Sequence, residues 1–381
     1  MTRSRYDAIV MGVGGMGSAA AYHLARRGQR VLGLERFDIP HRMGSSHGVT
    51  RIIRLAYYES PRYVPLLRRA YENWRELERR AGERLLHVTG SIDTGPPNSE
   101  VFEGSLASCR QHGLPHAVLD AAAVNRRFPA YALPHGHAAL YQPEGGFIAS
   151  ERAVVAHVTL AQAHGADIRA RERVLGWEPR GDGVRVTTER GTYEAARLVV
   201  SAGAWIGGLV PALAAAAVPE RQVLGWFQPE TPALFAPDRF PVFNALFDEG
   251  RFYGLPVFEV PGFKIGRYHH RHETTDADAL DRDCTQADEN TLRDAVRRYF
   301  PGANGPTMSL AACMFTNTSD EHFVIDTLPA LPQVVVASPC SGHGYKFASV
   351  IGEILADLAT TGASGFDLSL FRLDRLAAGR A

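Results

Sequence analysis

Residues 6–17 read YDAIVMGVGGMG, an apolar run followed at once by glycines with the spacing G-x-G-x-x-G. The apolar run predicts a buried β-strand. Gly12 permits a tight turn, Gly14 lets a phosphate group approach the backbone, and Gly17 lets the next helix pack closely on the strand. The stretch therefore predicts a strand, a glycine turn and a helix whose N-terminus binds the pyrophosphate of a dinucleotide.

The residues that follow extend this unit to a second strand. Helical apolar spacing runs from Ala19 to Arg27, and the strand-like segment from Arg30 to Glu35 ends in a carboxylate. Such an acid accepts hydrogen bonds from a ribose diol and repels a 2′-phosphate, which argues against NADP. FAD and NAD share the fingerprint. The long polar loop from Phe37 to Arg54 departs from a plain alternation of strand and helix, and it favours FAD.

Composition excludes several classes of protein. The 381 residues carry 41 basic and 41 acidic side chains, so no basic excess indicates a nucleic-acid partner. No apolar run is long enough to span a membrane. The four cysteines lie far apart, without a disulfide pattern or a metal-ligand spacing, which favours a reducing cytoplasm. A chain of this length predicts two domains.

Lysine is almost absent from the sequence. Of the 41 basic side chains, 39 are arginine, and only Lys264 and Lys346 are lysine. Codon bias is one interpretation of this skew. The other is that these two positions require a compact ammonium that can lose its proton, which arginine cannot supply. Both lysines are therefore candidates for a functional site.

Three later segments carry longer motifs. They are residues 44–54 (GSSHGVTRIIR), 313–326 (CMFTNTSDEHFVID) and 341–347 (SGHGYKF), and a helix is predicted from Gly344 to Leu358. In these segments the sequence resembles the monomeric sarcosine oxidase and N-methyltryptophan oxidase family of flavoenzymes, and the similarity runs the full length of the chain.

The resemblance implies that FAD is attached covalently, through an 8α-thioether to Cys313. Cysteine chemistry alone leaves this open, because an isolated cysteine is more often a small buried apolar residue. Cys340 is the rival for the attachment, since it immediately precedes the segment 341–347. The full set of cofactor-binding candidates is Gly12, Gly14, Gly17, Glu35, His47, Cys313, Gly342, His343 and Gly344.

The resemblance also implies that Arg54 and Lys346 bind the carboxylate of the substrate. A planar guanidinium and a compact ammonium together suit a small carboxylate. Lys264 would hold a water against the flavin and promote its reaction with oxygen. The alternatives are an edge-strand lysine at position 264 and a solvated helix cation at position 346. Thr50 and Arg51 complete the expected catalytic set.

Residues 268–272 read YHHRH and depart from the family pattern, in which a tyrosine and then an active-site histidine follow the lysine. We expect His269, or else His270, to face the flavin. A metal site at these histidines is rejected because no carboxylate stands at a ligand spacing. Phe315 replaces a tyrosine of the sarcosine oxidases and makes the pocket more apolar, and Tyr253 is expected to line that pocket.

The predicted fold is α/β and α+β. A Rossmann-like FAD-binding domain takes residues 1–84, 146–215 and 321–381, and a discontinuous substrate domain on a mixed or antiparallel sheet takes 85–145 and 216–320. The expected activity is oxidation of the C–N bond of a secondary (N-methyl or N-alkyl) α-amino acid to an imine that hydrolyses, with oxygen reduced to hydrogen peroxide. We expect a cytoplasmic monomer without nucleic-acid or membrane partners.

Other substrates and other classes stay open. N-methyltryptophan, iminodiacetate, pipecolate and proline are alternative secondary amino acids. An NAD-dependent dehydrogenase is a second class, which the first 35 residues alone would permit. A flavin-binding module without turnover is a third.

Overall fold

The structure is a computed structural model that describes residues 5–339 and 341–378, which form three β-sheets and nine α-helices. In chain order the strands are β1 (Arg5–Met11), β2 (Val31–Leu34), β3 (Thr50–Ile53), β4 (Leu86–Val88), β5 (Ser91–Gly95), β6 (Ala117–Asp120), β7 (Ala138–Gln142), β8 (Gly146–Ala149), β9 (Asp167–Arg169), β10 (Val174–Arg180), β11 (Gly183–Thr188), β12 (Thr192–Val200), β13 (Val218–Phe227), β14 (Val242–Phe247), β15 (Gly250–Leu255), β16 (Phe263–Arg267), β17 (Thr307–Asn317), β18 (Val324–Leu328) and β19 (Leu331–Ser338). The helices are α1 (Gly15–Arg26), α2 (Val64–Ala81), α3 (Glu100–His112), α4 (Ala121–Arg127), α5 (Ser150–Ala163), α6 (Ile206–Leu209), α7 (Gln286–Tyr299), α8 (Ala348–Thr361) and α9 (Arg375–Ala378).

The first sheet contains the predicted dinucleotide-binding unit. Its strand order is β10-β11-β12-β1-β2-β9, and β19 pairs with both β12 and β18. Strand β1 lies parallel to β2 and to β12, and α1 connects β1 to β2. The strand–turn–helix–strand prediction from residues 6–35 is therefore confirmed, and the glycine turn lies at the carboxyl end of the parallel strands, where α/β sheets bind ligands.

The second sheet is mixed, as predicted. Its order is β17-β13-β16-β15-β14-β5-β7-β6, and all its pairs are antiparallel except β14 with β5. Strand β16 carries Lys264 and lies between β13 and β15. The alternative of an edge-strand lysine is therefore wrong. A third, small antiparallel sheet has the order β3-β8-β4.

The distribution of strands supports a division of the chain into two discontinuous domains. The first sheet takes strands from residues 5–34, 167–200 and 324–338, and the second takes strands from 91–142 and 218–317. We propose domain boundaries at residues 84, 145, 215 and 320 on this basis. Within the described part of the chain, no helix combines the length and the apolar character needed to cross a bilayer.

Helices α1 and α8 pack tightly against each other on one face of the first sheet. The helix predicted from Gly344 begins with a 3₁₀ turn, Tyr345–Phe347, and continues as α8, which Gly362 caps in the left-handed conformation (φ +76°). A Cβ atom at Gly352 would lie 2.4 Å from Cβ of Ala19. Glycine at this position therefore permits the close contact between the two helices.

Replacement of Gly352 by alanine is expected to lower the free energy of unfolding by about 1–3 kcal/mol, the usual cost of overpacking a core. The gain in helix propensity, about 1 kcal/mol, places the net effect toward the lower end of that range. Chemical denaturation measures it. Gly365→Ala is the matched control, because a Cβ at Gly365 meets no atom within 4 Å. Equal midpoints for the two variants would show that the helices separate without cost.

Candidate active site

A cavity of about 730 Å³ is lined by residues of both large sheets. Met11 and Leu34 contribute from β1 and β2 of the first sheet, and Tyr253 and Cys313 contribute from β15 and β17 of the second. The polar loop before β3 also lines it, through Ser45 among others. The cavity therefore joins the glycine turn to the side chains predicted to bind substrate.

The glycine turn has the geometry expected of a phosphate-binding turn. Gly12 has φ +86°, and a Cβ at Gly17 would lie only 1.7 Å from the carbonyl oxygen of Gly12. Gly14 differs, because the nearest protein atom to a Cβ there is 3.7 Å away. Packing within the protein thus explains the glycines at 12 and 17. Gly14 lines the cavity, where the lack of a side chain leaves room for a ligand.

Glu35, at the end of β2, is buried and orders the backbone around this turn. Its Oε2 accepts a hydrogen bond from the Val13 amide at 2.9 Å, and its Oε1 accepts one from the Phe37 amide at 3.0 Å. Each carboxylate oxygen keeps a second lone pair for a further donor. Glu35 lines the cavity, so the geometry fits a ribose diol at this position.

Cys313 is a buried cysteine with an acidified thiol. Burial by itself raises the pKa of the Cys313 thiol, but the proximity of His47 and the charge of Arg51 lower it to about 6. Nη2 of Arg51 lies 3.8 Å from Sγ. The lowered pKa favours the thiolate, which is the nucleophilic form of the group. Nε2 of the buried His47 has no hydrogen-bond partner among the described residues.

Lys264 is buried beneath the loop that precedes β3, with 1% of its surface exposed. Its Nζ donates hydrogen bonds to the carbonyl oxygens of Gly48 and Thr50, both at 2.7 Å, and to Oγ1 of Thr50 at 3.2 Å. Burial, assisted by the charge of Arg51, holds the pKa of this amine well below its usual value. Lys264 does not itself line the cavity, whereas Thr50 and Arg51 do.

Arg54 and Lys346 both lie close to the ring of Tyr57. Cζ of Arg54 lies 4.7 Å and Nζ of Lys346 lies 5.3 Å from the ring centroid of Tyr57. Burial and the charge of Arg54 lower the pKa of Lys346 to about 7. Both side chains are buried and both line the cavity. The predicted proximity of these two cations is therefore present in the structure, and the solvated alternative for Lys346 is wrong.

Two acids that the sequence analysis missed hold Arg54 in place. Nη2 of Arg54 lies 3.0 Å from Glu59, and Nε lies 3.3 Å from Asp93. Burial raises the pKa of Glu59, but Arg54 and the other basic neighbours together outweigh it and lower the pKa to about 2. Burial raises the pKa of Asp93. Glu59 stands only five residues from Arg54 within an apolar stretch, so the sequence could have indicated it as a partner. Asp93 comes from the distant strand β5, and no sequence pattern connects it to Arg54.

Three aromatic rings form one wall of the cavity. The ring of Tyr268 lies 5.3 Å from that of Tyr253 and 5.6 Å from that of Phe315, centroid to centroid. All three line the cavity. Arg251 stacks over Tyr268 at 3.8 Å. Tyr253 and Phe315 were expected here, and Tyr268 was missed because a histidine was expected in its place.

The structure does not bring His269 or His270 to the cavity. Backbone pairing continues one residue past β16, through the Tyr268 amide and the Arg251 carbonyl, and His269 then turns away with φ +55°. His269 bonds Glu220 through Nδ1 (2.9 Å) and Glu321 through Nε2 (3.1 Å). His270 is fully buried against Asp288. The expectation that either imidazole faces the flavin is corrected to Tyr268 as the residue lining that wall.

A tight turn places Gly342, His343 and Gly344 on the cavity. Gly342 has φ +79°, and a Cβ there would lie 2.5 Å from the Phe315 ring. A Cβ at Gly344 would lie 1.9 Å from the carbonyl oxygen of Pro339. His343 bonds Tyr57 through Nδ1, and burial lowers its pKa to about 4, so it is neutral. Cys340, the rival for flavin attachment, lies outside the described residues.

Most of the predicted site residues converge on the cavity. Those that line it are Gly12, Gly14, Glu35, Thr50, Arg51, Arg54, Tyr253, Cys313, Phe315, Gly342, His343, Gly344 and Lys346. Gly17, His47 and Lys264 lie behind this lining, in contact with Gly12, Cys313 and Thr50 respectively. His269 is the exception among the predicted residues, because its ring bonds Glu220 and Glu321 outside the cavity lining.

A Rossmann-type turn that opens onto such a cavity is typical of dinucleotide-dependent oxidoreductases. The sequence model of the family described as FAD dependent oxidoreductase matches residues 7–358, and the chain belongs to that family. FAD is the cofactor that this family uses. The resemblance to monomeric sarcosine oxidase and N-methyltryptophan oxidase is confirmed by the relatives that follow.

Individual relatives cover the whole chain. Monomeric sarcosine oxidase from Streptomyces avermitilis is 43% identical over 381 residues, which span 99% of each protein. N-methyl-L-tryptophan oxidase from Yersinia pestis is 35% identical over 372 residues, 97% of this chain and 99% of that one. Among solved structures, NikD, an unusual amino acid oxidase essential for nikkomycin biosynthesis, superposes with a TM-score of 0.85 at 28% identity, covering 97% of both chains.

Proposed function

We propose that this FAD-dependent oxidoreductase oxidises the C–N bond of secondary α-amino acids, N-methyl or N-alkyl, to imines that hydrolyse, and that it reduces oxygen to hydrogen peroxide. The observation that carries the proposal is the pair of buried cations, Arg54 and Lys346, which both line the cavity and both lie close to the ring of Tyr57. Buried charges are costly unless they are paired. A carboxylate ligand would complete this group.

The two cations differ in how the protein compensates their charge. Arg54 lies between the carboxylates of Glu59 and Asp93, whereas Nζ of Lys346 donates to a neutral acceptor, the carbonyl oxygen of His343, at 2.7 Å. A substrate carboxylate would supply an anionic partner for Lys346, and the fork of Arg54 would fix its orientation.

The remaining residues divide between the cofactor and the reaction. Bound FAD would supply the acceptor for a hydride equivalent and the means of reducing oxygen. Gly12, Gly14 and Glu35 would hold its dinucleotide portion, and the Cys313 thiolate suits a thioether to the flavin ring. Nζ of Lys264 donates to three oxygen acceptors, which only the protonated amine can do. This ammonium would stabilise the charge that develops where oxygen is reduced.

The aromatic wall favours small or apolar substituents on the amine. Tyr253, Tyr268 and Phe315 offer two phenol hydroxyls and one bare ring to the cavity. Sarcosine is the substrate that we favour, because the Streptomyces avermitilis relative is named for it. N-methyltryptophan is the second candidate, on the same ground from the Yersinia pestis relative. Iminodiacetate, proline and pipecolate are further members of the class.

A peroxide-coupled assay across these five compounds tests the function. We expect turnover of at least one, with sarcosine the best. N-methylpropylamine is the matched control, since it keeps the secondary amine and lacks the carboxylate; its kcat/KM should be far lower. A flavin-containing preparation that forms no peroxide with any secondary amino acid would refute the proposal. Equal activity on the amine control would refute the assigned role of Arg54 and Lys346.

The covalent bond at Cys313 has a direct test in acid precipitation. Flavin should precipitate with the wild-type protein and remain in the supernatant of Cys313→Ala, because the alanine has no nucleophile. Cys109→Ala is the control, since that cysteine is buried and burial raises its thiol pKa to about 12. Release of flavin from the wild type would contradict the covalent attachment, and retention by Cys313→Ala would move it to another residue.

The protein is proposed to act as a cytoplasmic monomer. Cys109, Cys284 and Cys313 are free thiols, which suits a reducing compartment. Size-exclusion chromatography with light scattering should give the mass of one chain at micromolar concentration, and a dimeric mass would correct the assignment.

A further inference from the structure

A cluster of metal-ligand side chains lies outside the cavity lining. Glu220 of β13 and His269 and His272 of the turn after β16 each present one ligand atom, and the three atoms lie within 4.8 Å of one another. No metal site was expected here, because no carboxylate stands at a ligand spacing from these histidines in the sequence. That reason is wrong, since the fold brings Glu220 to them from 49 residues away.

Partner residues orient two of the three side chains. Nε2 of His269 bonds Glu321 at 3.1 Å, so Nδ1 is the nitrogen turned toward Glu220. Histidines that bind metals usually use their second ring nitrogen in this way, on a carboxylate or a carbonyl. Glu220 in turn accepts hydrogen bonds from the side-chain amides of Gln222 and Asn317. Supporting hydrogen bonds of this type are typical of metal centres.

The backbone also converges on the cluster in an uncommon conformation. Three residues have φ in the left-handed region: His269 (+55°), His272 (+57°) and Glu321 (+57°). Residues other than glycine, asparagine and aspartate seldom adopt this conformation. Such conformations persist where the surroundings enforce them, and they concentrate at functional sites. Here they belong to two prospective ligands and to the carboxylate that orients one of them.

We propose that Glu220, His269 and His272 bind a divalent transition-metal ion of the zinc class, with water completing the coordination. Two imidazole nitrogens and one carboxylate oxygen are a donor set that Zn²⁺ accepts. The carboxylates of Glu220 and Glu321 balance the charge of one divalent ion. The ion would take the position of the proton that His269 and Glu220 share.

The proposed ion would lie directly behind the aromatic wall of the cavity. Phe315 pairs with Glu220 across β17 and β13, and its ring meets the His269 ring at 6.3 Å in an edge-on arrangement. Tyr268 immediately precedes His269. The site is therefore distinct from the flavin and substrate positions, while two of its neighbours line the substrate cavity.

Zinc binding by the intact, flavin-containing protein tests the proposal. After removal of trace metal with a chelator, equilibrium dialysis against Zn²⁺ and elemental analysis should give one tightly bound ion per chain. His272→Ala should weaken zinc binding at least about tenfold through loss of a ligand. Because His272 is exposed, this substitution should leave the fold intact. His272→Cys should restore it, because thiolate is a zinc ligand. His135→Ala, at another exposed histidine, should bind as the wild type does.

These outcomes distinguish a specific zinc site from nonspecific binding of zinc by surface histidines. Absence of stoichiometric zinc in the wild type would overturn the proposal. So would equal affinity in the wild type and His272→Ala, equal losses in His272→Ala and His135→Ala, or no recovery in His272→Cys. Glu321→Gln should lower the affinity about 10–100-fold if its carboxylate orients His269; unchanged affinity would remove that residue from the site. Metal content is independent of turnover, so failure here leaves the amine oxidase proposal untouched.

Discussion

Replacement of Lys264 by methionine is expected to slow the reaction of the reduced enzyme with oxygen by on the order of 10²–10³-fold, the usual effect of removing one electrostatic stabiliser from a closed site. Methionine matches the length of the lysine stem and removes the charge. The rate at which sarcosine reduces the flavin under anaerobic conditions should change little, because Lys264 does not line the cavity. Stopped-flow absorbance measures the two half-reactions separately.

The Lys264 side chain also supports the loop that it contacts, so structural damage needs its own control. Its hydrogen bonds to the carbonyl oxygens of Gly48 and Thr50 are lost in the variant. An unchanged flavin spectrum and unchanged reduction rate would show that the loop is intact. If both half-reactions slow to the same degree, the lysine is a structural residue. If neither changes, its proposed role in oxygen reduction is wrong.

Replacement of Lys346 by methionine is expected to lower kcat/KM for sarcosine roughly 10- to 100-fold. A hydrogen bond to a charged group contributes about 1.5–3 kcal/mol, and each 1.4 kcal/mol corresponds to about a tenfold change. Reoxidation of the chemically reduced enzyme should keep its wild-type rate. The two lysine variants therefore control for each other, since the same substitution at each position should impair opposite half-reactions.

Wild-type affinity for a small carboxylate should fall as the pH rises through about 7, where Lys346 loses its proton. An anion binds the protonated amine, so binding above that pKa requires uptake of a proton and becomes weaker. Titration of the flavin spectrum with acetate measures this affinity. The dependence should vanish in Lys346→Met. A flat profile in the wild type would mean that Lys346 keeps one protonation state across the range.

The parts of the site that the sequence predicted are those defined by short-range pattern. The glycine turn and Glu35 follow from residues 6–35, because β1, α1 and β2 are consecutive. The two lysines stand out by composition, and both prove to be buried. Local chemistry of this kind can be inferred before any fold is known.

The parts that were missed depend on contacts between distant strands. Asp93 reaches Arg54 from β5, and Glu220 reaches His269 from β13. Tyr268, and not His269, lines the cavity because backbone pairing of this strand ends with the hydrogen bond between the Tyr268 amide and the Arg251 carbonyl. A shift of one residue sends a side chain to the opposite face of a strand, so a motif alone could not decide it.

The burial of both lysines has a consequence for chemical modification. Lys264 is 1% exposed and Lys346 is 5% exposed, and the sequence contains no others. An amine-reactive ester applied to the native protein therefore finds no lysine ε-amine at the surface. Both lysines become reactive once the chain unfolds. Lysine acylation in this protein thus marks molecules that have lost their fold, and coupling through lysine amines cannot immobilise the native enzyme.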